Sequence, residues 1–233
     1  MLGSPEPFSL INRIPICDNG EPLVDLRLCC REMLLAPGCL PYLRPTAIQM
    51  LKAAQQALPR PYRFRVSTAL RTLDMQARGY WRSYSRLKEE HPNWPKSALR
   101  RACNKYHAPP DVKAPPGHCT GGAVDLTICG LDGKPLDMTS PTVGWEAAYT
   151  YADDLSAEAK ANRQMLIYAM FSAGFSNCRD EWWHWSYGDS AWAVRVGEPV
   201  AWFGLIEPPC DYTFVPRPRR IRSPRLRARR RTF

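Results

Sequence analysis

Seven residues, Ala123 to Cys129, set the strongest limit on what this chain can become. Apart from Asp125 the run is mostly apolar and β-branched, with Gly121-Gly122 before it and the turn-former Asp132-Gly133 after it. A short segment of that composition between turn signals reads as a buried strand, which other elements must cover. Asp125 is the anomaly, because an ionised carboxylate among apolar neighbours needs a partner. A divalent metal is one such partner; capping a turn or pairing with an arginine are the others.

The surrounding sequence supplies the covering elements. Thr46 to Leu58 has apolar residues at helical spacing behind Thr46 as a cap, and Leu73 to Leu87 suits a helix with Tyr80, Trp81 and Tyr84 on its face. Between them Tyr62 to Leu70 alternates through Phe64 and Val66 as a strand does, and Arg71 falls at the junction. Leu23 to Leu28 reads as a strand or extended arm. The polar, proline-rich stretch from Lys88 to Pro116 holds one short helix, Lys96 to Tyr106, opening at Pro95. Ser156 to Ala173 is a helix stopped by Gly174, and Trp182 to Tyr187 with Ala191 to Val196 is expected to form a hairpin about Gly188-Asp189. The expectation is one α+β domain over residues 1–215, with a small, mainly antiparallel sheet carrying a metal site on one face and helices on the other.

A formal charge of +10 ordinarily points to nucleic acid or another anionic partner. Here nine arginines stand between Pro216 and Phe233 with no acid among them, so residues 1–215 are close to neutral. Residues 216–233 are expected to be a disordered tail, either merely solvated or a contact for an anionic partner such as nucleic acid, lipid headgroups or wall polymer. The nine cysteines are scattered, odd in number and without a CxxC pair, which favours reduced thiols acting as small apolar residues. No run approaches the roughly 18 apolar residues of a membrane span, and the first residues lack a signal pattern, so a cytoplasmic location is expected.

Of four histidines, two occupy the most unusual segments: Gly117-His118-Cys119-Thr120-Gly121-Gly122-Ala123-Val124-Asp125 and Glu181-Trp182-Trp183-His184. Two histidines and one carboxylate leave an open position on zinc, as a catalytic site requires. The Gly-Gly loop lets His118 fold back toward Asp125. Residues three apart point to opposite faces of a regular strand, so Glu181 is placed on the loop or bulge entering the strand and His184 within it. Taken alone, His184 also fits a packed core histidine.

These segments resemble the signatures of the zinc D-alanyl-D-alanine dipeptidases, the vancomycin-resistance type, and their carboxypeptidase relatives: Ser-x-His-x-x-Gly-x-Ala-x-Asp and Glu-x-Trp-His. Weaker likeness runs through Pro22 to Arg27, Tyr42-Leu43-Arg44, Leu70-Arg71-Thr72 with Gln76, and Asn162-Arg163-Gln164 before Gly174-Phe175, so that it spans about residues 20–200. The resemblance implies one zinc held by His118, Asp125 and His184, with Glu181 activating water and Arg71 stabilising the oxyanion. It implies a short D-amino-acid peptide as substrate, D-Ala-D-Ala above all, in cell-wall peptide metabolism. Two departures bear on that substrate. Pro116 replaces the motif serine, and Met138-Thr139-Ser140-Pro141-Thr142-Val143 stands where the family has Met-Gly-x-x-Phe-Asp, with Glu146 three residues further on. Both leave room for an alternative, a D,D-carboxypeptidase or endopeptidase on longer wall peptides. A third reading is a noncatalytic protein that keeps the metal as structure and uses its basic tail.

Overall fold

A computed structural model describes residues 6–209; the expected tail of residues 216–233 lies outside the described residues. The helices are α1 (Phe8–Ile11), α2 (Leu26–Cys29), α3 (Pro45–Ala57), α4 (Leu73–Glu90), α5 (Lys96–Cys103), α6 (Ala157–Ser172) and α7 (Ser190–Val196). The strands are β1 (Val24–Asp25), β2 (Leu34–Leu35), β3 (Tyr42–Leu43), β4 (Arg63–Thr68), β5 (Ala123–Cys129), β6 (Ser176–Asn177) and β7 (His184–Ser186). β1 and β3 form a small antiparallel pair, and the main sheet runs β2-β4-β5-β7-β6.

β5 is the strand the sequence predicts, and it lies at the centre of that sheet. It is antiparallel to β4 and β7, with Phe64 opposite Ile128, Val66 opposite Leu126 and Asp125 opposite His184. Because side chains alternate along a strand, Val124, Leu126 and Ile128 share one face with Phe64 and Val66. That face packs on Ala47, Ile48, Leu51 and Ala54 of α3 and on Leu166, Ala169 and Met170 of α6. The opposite face of the same strands carries Asp125 and His184. Helices on one face and the polar cluster on the other are the layering expected of the sequence.

Several local expectations need correction. The sheet is mixed, not mainly antiparallel: β2 lies parallel to β4, because the chain between them runs through α3 and returns in the same sense. No hairpin follows Gly188. Asp189 caps α7 instead, its Oδ1 accepting from the Trp192 amide at 2.6 Å, so Ala191 to Val196 is helical and β7 shrinks to three residues. Thr46 is not the cap of α3. Pro45 opens that helix, and Glu21 reaches in from another segment, accepting from the Thr46 amide at 2.9 Å and from its hydroxyl at 2.6 Å. Leu23 to Leu28 divides into β1 and α2, where Asp25 accepts from the Arg27 amide at 2.8 Å.

Elsewhere caps act as sequence rules suggest. Thr72 accepts from the Met75 amide at the start of α4, Ser156 from the Ala159 amide at the start of α6, and Gly174 follows α6 at φ +93°. α4 and α5 enclose a second small core of Tyr80, Leu87, Leu99 and Cys103. Among the described residues no helix is long and apolar enough to cross a membrane.

Candidate metal centre

His118 sits in a one-turn 3-10 helix, Gly117–Cys119, immediately before the Gly-Gly loop. That loop is held down from two sides. The carbonyl of Gly121 accepts from the Arg44 amide at 2.9 Å, and the carbonyl of Gly122 accepts from the Tyr187 amide at 3.0 Å, just past β7. A Cβ at residue 122 would lie 2.3 Å from the Tyr187 carbonyl oxygen, so only glycine lets the loop approach β7 this closely. The Arg44 side chain is buried and ties the same loop to the rest of the fold, donating to the Thr120 carbonyl at 2.8 Å and to both carboxylate oxygens of Asp18.

The result is a tight convergence of donors. His118 Nε2 lies 3.0 Å from Asp125 Oδ1, His184 Nδ1 lies 3.0 Å from the same oxygen, and the two ring nitrogens are 3.1 Å apart. The backbone carbonyl of Ala69 is 2.9 Å from His118 Nδ1. A carbonyl only accepts, so Nδ1 carries a proton and Nε2 is the nitrogen that faces Asp125 Oδ1 and His184 Nδ1. Burial lowers the pKa of His118, against the charge and hydrogen bond of Asp125. For His184 burial acts the same way, but the hydrogen bond and charge of Asp125 outweigh it and raise the pKa. Asp125 is held well below the carboxylate range: burial opposes this, and the two histidines overcome it. Lone pairs and negative charge thus meet at one point, and two imidazoles with one carboxylate are the donor set that zinc accepts. The residues fit the ion.

Two further groups complete the cleft. Glu181 lies in the turn entering β7, where the His184 amide donates to the Glu181 carbonyl at 3.0 Å; burial raises the pKa of its carboxyl. Arg71 extends from the end of the β4 segment. Its amide donates to the His118 carbonyl at 3.0 Å, its Nη1 donates to Gln76 Oε1 at 2.8 Å, and its Nη2 stands 3.9 Å from Asp125 Oδ2. Asp125 therefore has both an arginine and two histidines beside it. All five residues line one cleft of about 510 Å³.

A family model for peptidase M15, described as D-ala-D-ala dipeptidase, matches residues 64–200, a span that contains every one of these side chains. The chain belongs to the peptidase M15 family. Among curated proteins, the D-alanyl-D-alanine dipeptidase of Synechocystis sp. PCC 6803 is 31% identical over 121 residues, covering 40% of this chain and 45% of that protein. The D-alanyl-D-alanine dipeptidase of Escherichia coli K12 is 30% identical over 101 residues, covering 43% and 52%. The chain spans about half the length of the curated relatives it matches. Two solved structures also align over 80% of this chain and 93% of their own. One is a zinc-bound mutant of the vancomycin resistance D,D-pentapeptidase VanY, at 14% identity and TM-score 0.41. The other is VanYB in complex with D-alanine-D-alanine, at 13% identity and TM-score 0.43.

Sequence reasoning picks out His118, Asp125, His184, Glu181 and Arg71, and the structure brings all five together. It does not pick out the Ala69 carbonyl, Glu6 or Trp145, which also border the site. A backbone carbonyl has no signature in residue type, and the other two come from segments without a motif.

Proposed function

We propose that this M15 peptidase is a zinc-dependent metallopeptidase that hydrolyses D-alanyl-D-alanine or a similar D-amino-acid dipeptide in cell-wall peptide metabolism. His118, Asp125 and His184 hold the metal, Glu181 is the base and Arg71 the oxyanion donor. The observation that carries this reading is the meeting of three metal-ligand atoms within 4.8 Å of one another in a cleft that also holds Glu181 and Arg71. A zinc ion bound there supplies an electrophile for the peptide carbonyl and acidifies water. Glu181 takes the proton from the attacking water and returns it to the leaving amine, a task suited to a carboxyl whose pKa burial has raised. Arg71, held by Gln76, faces the negative charge that develops on the carbonyl oxygen. Buried thiols at Cys30, Cys103 and Cys119 favour a reducing compartment, and we place the protein in the cytoplasm.

The test is metal content and D-Ala-D-Ala hydrolysis on one purified sample. About one zinc per chain is expected, with hydrolysis abolished by Glu181→Ala; protein that retains no metal after careful preparation overturns the reading. A second reading, carboxypeptidase or endopeptidase action on longer wall peptides, is favoured by Val143, which is 81% exposed and offers no charge to a substrate ammonium. Turnover of free dipeptide with refusal of N-acetylated peptides eliminates it.

A further inference from the structure

The segment from Asp137 to Thr150 contains Met138 to Val143, one of the two departures from the family signature, yet it is firmly built. Arg163 of α6 is buried and spends its donors on this segment's backbone: Nε on the Met138 carbonyl at 2.7 Å, Nη1 on those of Tyr149 and Thr150, and Nη2 on that of Ala147. Asn162 adds a bond to the Asp137 carbonyl at 2.8 Å. The segment is also tied to the turn that carries Glu181, because the Trp182 amide donates to the Ala148 carbonyl at 2.9 Å and the Thr150 amide to the Arg179 carbonyl at 2.8 Å.

This bracing places Trp145 in the wall of the cleft. Its ring stands edge-to-face with Tyr106 at 4.9 Å and with Trp183 at 6.5 Å, and all three border the same cavity as Glu181 and His184. Trp183 immediately precedes His184, so the aromatic wall begins beside the reacting centre. Two alanine methyl groups would leave much of such a wall uncovered, whereas an aromatic side chain buries a large area and continues the edge-to-face packing.

We propose that Trp145, Tyr106 and Trp183 form a side-chain subsite that selects substrates carrying a bulky apolar, preferably aromatic, side chain next to the scissile bond. The inference rests on the peptidase reading above and narrows it to a substrate class. Arg163 is a positioning residue in this scheme, since it touches the loop and not the substrate.

The experiment compares D-Ala-D-Ala, D-Phe-D-Ala and D-Ala-D-Phe on the zinc-loaded full chain. One of the phenylalanine dipeptides is expected to exceed D-Ala-D-Ala in kcat/KM by about tenfold, the scale on which an apolar pocket discriminates. Trp145→Ala should collapse that ratio toward one, and Trp145→Phe should restore most of it. A parent ratio near one, or a ratio unmoved by Trp145→Ala, overturns the subsite. Calorimetric binding of the same peptides to the Glu181→Ala variant, with and without Trp145→Ala, reads the preference without turnover. Cleavage of D-Ala-D-Ala with no preference in either assay sinks the subsite and leaves the peptidase. Tighter, Trp145-dependent binding of a phenylalanine peptide with no hydrolysis by the parent sinks the peptidase and leaves the subsite; no preference in binding and no hydrolysis sinks both.

Discussion

Glu181 and Arg71 lie beside the same three proposed metal ligands, but they are tuned in different ways. Burial raises the carboxyl pKa of Glu181, with the nearby Asp125 adding to it and His184 and Arg71 opposing. A base works only when deprotonated, so activity falls as pH drops through this raised value. The acid limb of kcat/KM against pH is therefore expected above 4.5, the ordinary glutamate value; a limb at or below it contradicts the assignment. Arg71 acts through direction. Its guanidinium uses Nη1 on Gln76 and keeps Nη2 near Asp125, a fixed fork that a lysine ammonium cannot reproduce. Arg71→Lys is expected to lower kcat by about 10² to 10³ with little change in KM, the usual result of removing an oxyanion donor. A change confined to KM would make Arg71 a ground-state binder instead.

At the scale of elements, the loop between His118 and β5 depends on two contacts that substitution can probe. Gly122→Ala sets a methyl group against the Tyr187 carbonyl and the Phe203 ring, and overpacking of this kind costs about 1–3 kcal/mol. Arg44→Met removes the buried guanidinium that joins Asp18, Thr120 and Gly204. Its expected cost is about 3 kcal/mol, the low end for breaking a buried pair, because Asp18 is partly exposed. Denaturant melts of both variants test these values, and stability within error of the parent refutes the bracing role. The elements that sequence reveals best are those where local rules act unopposed. β5 has turn signals at both ends, while α4 and α6 carry their own caps in Thr72 and Ser156. α7 is misread because Ala191 to Val196 has strand composition, and what decides is whether Asp189 turns the chain or caps it. The cap of α3 is hidden for another reason: Glu21 arrives from 25 residues away. The three converging side chains, His118, Asp125 and His184, announce themselves as rare residues in spaced motifs. The backbone carbonyls that orient His118 and receive Arg163 announce nothing.

Across the whole molecule, the proposed metal centre is a place where separate parts of the chain are fastened together. His118 belongs to the 3-10 turn, Asp125 to the central strand and His184 to β7, and the nearby Cys119 carbonyl accepts from the Ile206 amide at 3.0 Å. A zinc ion binding these residues in the folded state stabilises the fold by mass action, about 2.7 kcal/mol at a hundred times Kd. For a chain of this size that is a rise of roughly 5–10 °C in Tm. The pH dependence carries a sharper signature. Without metal, the raised pKa of His184 means the folded state holds a proton that the unfolded state releases near 6.5. That contribution is complete below the unfolded value and is lost as pH rises through the folded one. Zinc displaces the same proton, so its binding strengthens with rising pH. The difference in Tm between zinc-loaded and chelated protein should therefore widen between about pH 6 and pH 8, with the chelated form supplying part of the change by falling. Scanning calorimetry on the two forms across that range measures it. A difference that stays flat or narrows would mean that His184 is neutral in the metal-free fold and that Asp125 takes its charge compensation from Arg71 instead.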